Sequence, residues 1–176
     1  MSDAGKTDPS SPSTGEKPPE VDAEAPEAHL ESLEEAMTSA LELRQQGKIQ
    51  EAVRLFREIL AAEPRLAEPR LELAHLAASS EDWEEAEAQA RMAVQILRSG
   101  GQWILGLSGE QLLSFAVNLL GEVLVRSIES GDLIFRDKKR FNAIWNEAAA
   151  LFVEAKALDP SNEDARSNSL HYRPIL

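Results

Sequence analysis

The feature that most restricts this chain is a spacing. Ala40 and Ala74, Leu43 and Ala77, Ile49 and Trp83, and Ala52 and Ala86 each stand 34 residues apart. A fixed period with matched chemistry means that one supersecondary unit has been repeated, and a single such unit cannot bury its own apolar face. The unit is read most clearly over Gly47–Pro64. There Ala52, Leu55, Phe56, Ile59 and Leu60 fall at i, i+3, i+4, i+7 and i+8, an apolar stripe down one helix face. Gly47 punctuates the chain before this helix, and Pro64 marks where it ends. A helix this short is marginal alone, so its stripe must be buried against a neighbour.

That neighbour precedes it. Helical periodicity starts near His29, where Ser32-Leu-Glu-Glu35 has the form of a capping box, and Ala36, Ser39, Ala40 and Leu43 line one face. So short a turn makes the two helices antiparallel. The pattern returns after Pro64. Pro69 suits the first turn of a third helix carrying Leu71, Leu73, Ala74, Leu76 and Ala77, and Ser79-Ser80-Glu81-Asp82 leads into a fourth that runs to Leu97. Trp83 and Trp145 lie in phase with apolar neighbours and are expected in the core.

Composition narrows the function. With 31 acidic residues against 18 basic, the net charge is −13, which disfavours nucleic-acid backbones and anionic lipid. No cysteine is present, so disulfides, thiolate nucleophiles and cysteine metal sites are excluded. Residues 1–28 are rich in Pro, Ser, Thr, Asp and Glu, and are expected to be disordered. Gly5-Lys6-Thr7 imitates the end of a phosphate loop by chance, without the upstream glycine. No secretory signal is read at the N-terminus, and the apolar stretches read as too short to span a bilayer. A cytoplasmic protein without membrane insertion is the expectation. His29, His75 and His171 stand in separate elements, and no catalytic, cofactor-binding or metal-ligating constellation is found. The chain reads as a non-enzyme.

The period, the paired helices and the landmark residues resemble the tetratricopeptide repeat. In the first unit Ala40, Gly47, Ile49, Ala52, Phe56 and Pro64 carry the resemblance; in the second, Leu73, Ala74, Trp83, Ala86 and Ala93 do. The second unit has Glu81 in place of the glycine and Arg98 in place of the closing proline. A third unit is marked by Leu120-Gly121 and by Ala148, Phe152, Ala155 and Asp159-Pro160. From Ala86 to Ala148 is 62 residues where a regular array has 34. The excess is read as two insertions, near 101–113 and near 129–143. The fold expected is all-α: a right-handed solenoid of three helix-turn-helix units (about 33–66, 67–100 and 114–162) within a domain of 29–168. A short helix from Ser161 would cap its end, and 169–176 would form a tail.

The resemblance implies that the first helices of the units line a concave groove that takes a peptide or helix of another protein. By helical phase the groove residues are Met37, Leu41 and Arg44, then Leu71 and His75, then Phe115, Asn118 and Val125, rimmed by Glu34, Glu68 and Glu122. Met37 and Leu41 stand where carboxylate-clamping members of the family carry lysine and asparagine, so that specificity is not matched. The apolar strip is either open to an amphipathic helix or covered by the chain's own insertion or tail. If it is open, Leu71→Glu abolishes partner capture and leaves the melting temperature unchanged. Trp103, framed by glycines, either folds back over the second unit or is offered to a partner. Arg136, Lys138, Lys139 and Arg140 form the one basic cluster, either a solvated loop or a docking site for an acidic surface. The implied function is that of an adaptor or assembly factor. Its alternatives are a chaperone for a secreted or membrane-associated client and a constitutive subunit of a larger complex. The partner and the oligomeric state are left open.

Overall fold

In a computed structural model, which describes residues 26–104 and 106–175, the chain forms eight helices and no strand among those residues. They are α1 (Pro26–Gln45), α2 (Ile49–Ala62), α3 (Glu68–Ser79), α4 (Trp83–Arg98), α5 (Gly109–Glu129), α6 (Leu133–Arg136), α7 (Lys138–Leu158) and α8 (Glu163–His171). Helices α1/α2, α3/α4 and α5/α7 are the three antiparallel pairs, and α8 packs on α5 and α7. The expected disorder of 1–28 falls outside the described residues up to residue 25. Residues 26–28 belong to α1. Helix α1 therefore starts six residues before Ser32, and Ser32 does not cap it.

The turns show why the period is 34. After α1, Gly47 adopts φ +75, its N–H bonds the Arg44 carbonyl, and the Lys48 N–H bonds the Leu43 carbonyl. This is a Schellman closure, which needs a left-handed residue at its centre. One period later Glu81 holds φ 61, with Glu81 N–H to the Ala78 carbonyl and Asp82 N–H to the Ala77 carbonyl. The second unit thus keeps the turn geometry without the glycine. A β-carbon in that conformation costs about 1–2 kcal/mol. Glu81→Gly is accordingly expected to raise stability by about 1 kcal/mol, after the greater chain entropy of glycine offsets part of the relief. A urea titration that gives no rise in midpoint would show that Glu81 bears no strain.

Alanines set the helix spacing. Ala40 and Ala52 are fully buried where α1 meets α2, and so are Ala74 and Ala86 where α3 meets α4. In the third pair Gly121 has the same role: a β-carbon there would lie 2.6 Å from Cε1 of Phe152. Long side chains bridge α4 to α7 on the side of the second helices. Arg91 pairs with Glu147 at 2.8 Å and with Glu87 of its own helix at 2.7 Å, and Arg98 pairs with Glu154 at 2.6 Å. The hydrogen bond to Glu147 leads in raising the Arg91 pKa, against an opposing effect of burial.

The insertions are less loop than the sequence implies. Ser108 caps α5 through a complete capping box with Gln111, and α5 begins at Gly109, earlier than residue 114. The second insertion is mostly helix. The chain lengthens α7 to 21 residues, against 14 in α2 and 16 in α4, and leaves only 130–137, with the one-turn α6, between it and the 21-residue α5. The expectation that no stretch is long enough to span a bilayer is corrected by α5, which passes by length and composition. Its most apolar stretch is 67% buried, because α4, α7 and α8 all pack against this helix.

Helix α8 closes the array. Asn162 caps it, accepting from the Ala165 N–H at 3.1 Å and donating to Ser114 Oγ at 2.9 Å. Asn168 donates to Asn118 Oδ1 at 3.0 Å and to Glu122 Oε1 at 2.9 Å. Glu163, Asp164, Arg166 and Ser167 face solvent, the polar outer surface that a terminal unit requires. Tyr172 follows, stacked on Phe152 with centroids 5.1 Å apart and edge-on to Trp145 at 5.5 Å. Burial first, then the carboxylates of Glu129 and Glu122, raises its phenol pKa.

Candidate partner-binding face

The side chains expected to line the groove divide between core and surface. Met37 is 1% exposed, packed in a cluster with Leu33, Phe56, Ile59 and Leu66. Leu71 is 8% exposed and belongs to the larger cluster of the second and third units, as does fully buried Val125. Asn118 is buried, donating to Glu122 at 3.0 Å while accepting from Asn168. These four are withdrawn from the binding surface. In α3 and α5 the physical reason is that the helix meets both its own partner and the next unit, so its buried arc is wider than one stripe; in α1 the single buried stripe is rotated from the expected one. In α1 the buried positions are Leu33, Met37 and Ala40, while Ser39 is exposed.

The chain also covers part of the strip itself. Ile104, from the segment between α4 and α5, packs against the first-unit cluster. That segment is tied to the connection before α3. Gln102 N–H donates to the Arg65 carbonyl at 3.0 Å, and Ala67 N–H to the Gln102 carbonyl at 3.2 Å. The Ile104 N–H donates to the Glu68 carboxylate at 2.6 Å. Glu68 is therefore a buried anchor and not the exposed rim its position implied. Trp103 is 38% exposed, donates from Nε1 to the Leu107 carbonyl at 3.1 Å, and lies against Gly109. The ring folds onto its own loop and the start of α5, and it is the neighbouring Gln102 and Ile104 that reach the connection before α3 and the cluster beyond it.

What stays accessible is polar with one aromatic. Arg44 and Glu72 form an ion pair from α1 to α3, and Leu41 is half-buried beside them. Exposed His75 lines a cleft of about 110 Å³ between α3 and α5 with Ser79, Leu119, Glu122 and Arg126. Phe115 is 44% exposed and stands at helical spacing with Leu119, Glu122 and Arg126 on α5. Among the described residues no group of three His, Asp or Glu is placed to hold a metal ion.

Arg136, Lys138, Lys139 and Arg140 are exposed, but they do not form a loop: Arg136 ends α6 and the others make the first turn of α7. Trp83, expected in the core, is half-buried and lines a cavity between α4 and this corner. Next to it Phe135 is 88% exposed, a feature that periodicity does not reveal because Leu133-Ile134-Phe135 reads as three successive apolar residues without a face.

Residues 43–99, from the last turn of α1 through α4, match the family model of the tetratricopeptide repeat. Among curated proteins none matches the chain.

Proposed function

We propose that this tetratricopeptide-repeat protein is a non-catalytic adaptor that holds a segment of another protein across the α3–α5 face. Repeats of this family generally mediate protein–protein contacts, and the exposed ring of Phe115, one helical turn before Leu119 of the His75–Arg126 cleft, is the observation that carries the reading to this face. An aromatic ring left half in water gains by burial against a partner, and the flanking His75, Glu122 and Arg126 supply directional polar contacts. The Arg44–Glu72 pair extends the face toward α1, where an extended segment or a helix continues.

Phe115→Glu is expected to lower partner affinity at least tenfold, about 1.4 kcal/mol, while the melting temperature stays within about 2 °C of wild type. Affinity purification from native cells, with both forms compared quantitatively by mass spectrometry, measures the loss. If the same proteins are recovered in the same amounts, this face is not the site. A partner that co-purifies at fixed stoichiometry makes the protein a constitutive subunit, and a client recovered only before it folds makes it a chaperone.

A further inference from the structure

A second surface lies where α5 gives way to α6 and α7, and it does not rest on the α3–α5 reading. Here α6 presents Ile134, 45% exposed, and Phe135, 88% exposed. Asp137 caps α7 by accepting the Arg140 N–H at 2.9 Å, which places Lys138, Lys139 and Arg140 in the first helical turn. Cations there oppose the positive end of the helix dipole. Arg136 has Asp132 at 3.3 Å, while the other three have no ion pair among the described residues. A cavity of about 580 Å³ opens beside them, with Trp83, Ile128, Leu133 and Ile144 contributing apolar walls and Arg136 and Arg140 at its edge.

An exposed aromatic ring, a partly apolar cavity and three cations without an ion pair among the described residues, in a chain of net charge −13, ask for one kind of occupant. We infer that this corner docks an acidic segment of another protein that carries a large apolar side chain. The apolar side chain enters the cavity, and the carboxylates pair with the Arg136–Arg140 cluster and relieve its conflict with the α7 dipole. The chain's own residues 1–25 are acidic, six carboxylates against two lysines, but they offer no aromatic residue, leucine or isoleucine. A bilayer of anionic lipid fits less well, because Glu84, Glu87 and Asp132 line the same cavity and Asp137 follows α6 beside it. A single chain passes between these acids, whereas a charged plane meets them all.

Selecting random peptides displayed on phage against the full-length chain tests this directly. The expected recovered peptides carry Asp and Glu around a Trp, Phe or Leu, and their affinity falls as salt rises. The best of them, labelled for fluorescence anisotropy, is expected to bind the quadruple variant Arg136→Glu/Lys138→Glu/Lys139→Glu/Arg140→Glu at least tenfold more weakly. Circular dichroism checks that this variant is folded. Phe135→Ala, at a site too exposed to affect folding, is expected to weaken the same peptide several-fold. Recovery of basic or uncharged peptides, or equal binding by wild type and both variants, overturns the inference. So does displacement of the peptide by a synthetic copy of residues 1–25 at equal affinity, which makes the tail the occupant. Co-sedimentation with phosphatidylserine vesicles that is lost in the quadruple variant, with no acidic peptide recovered, also overturns it in favour of a membrane.

Discussion

Truncating Phe152 to alanine is expected to cost about 3–5 kcal/mol, the largest stability loss from a single apolar truncation in the third unit. The ring has no exposed surface and packs where α5 and α7 meet, against the face that Gly121 leaves bare. Its other neighbour is Tyr172, so the same side chain joins the third pair to the C-terminal segment. Removing it opens a void that α5 cannot collapse into, because Ala148, Ala155 and Leu120 already pack around it. The converse change, Gly121→Val, drives a branched side chain into the ring and is expected to cost about 1–3 kcal/mol. Gly121→Ala combined with Phe152→Leu is the sharper measurement. Each replacement alone leaves either a clash or a gap, and together they relieve one another, so urea midpoints should show a loss smaller than the sum. Strict additivity would mean that ring and glycine do not share that space.

Phe152 and Gly121 are both legible as landmarks, and the reason separates what sequence can yield from what it cannot. A helix pair and its turn are local. The stripe of Ala52, Phe56 and Ile59, the buried alanines at 34-residue spacing and the Ser108–Gln111 capping box are all set by near neighbours in the chain. Even Glu81 keeps its period, since the turn geometry outweighs the missing glycine. Which flank of a helix meets the next unit is not local. Phase alone puts Met37 and Val125 on the open face, yet each meets apolar groups brought from elsewhere in the array. Helix α5 shows the limit most plainly. With α4, α7 and α8 around it, nearly every side is apolar, and no stripe is left to read. The spacing counts the extra residues of the third unit but assigns them to loops. Lys138–Trp145 continues a helix because Phe141 stacks with Trp145 at 5.9 Å and Asp137 supplies the cap. The same phase argument puts Phe115, His75 and Arg44 on the accessible face, and they do lie there, at least in part.

Leu71 turns that distinction into a measurement. If it lay on an open groove, Leu71→Glu would remove partner binding and leave the fold alone. At 8% exposure, in one cluster with Ala74, Ala90, Leu112 and Ala116, it is core. The variant is therefore expected to lose about 3–5 kcal/mol, since it buries a carboxylate among apolar side chains. The pH dependence distinguishes burial of charge from simple loss of packing. Burial raises the introduced carboxyl's folded-state pKa above its unfolded value, so the folded variant binds the extra proton more tightly. Its stability relative to wild type is then fully kept below the unfolded pKa, about 4.3, and falls as pH rises through the raised folded value. The gap in urea midpoint between variant and wild type should thus narrow on going from pH 7 to pH 4. Leu71→Ala provides the control. It should also destabilise, by about 2–5 kcal/mol, but with a gap that does not change over that interval. A Leu71→Glu protein that melts with wild type and fails to bind would return Leu71 to the surface and reopen the apolar groove. One that melts early while Phe115→Glu melts normally places the boundary between core and binding face along α3 and α5 themselves.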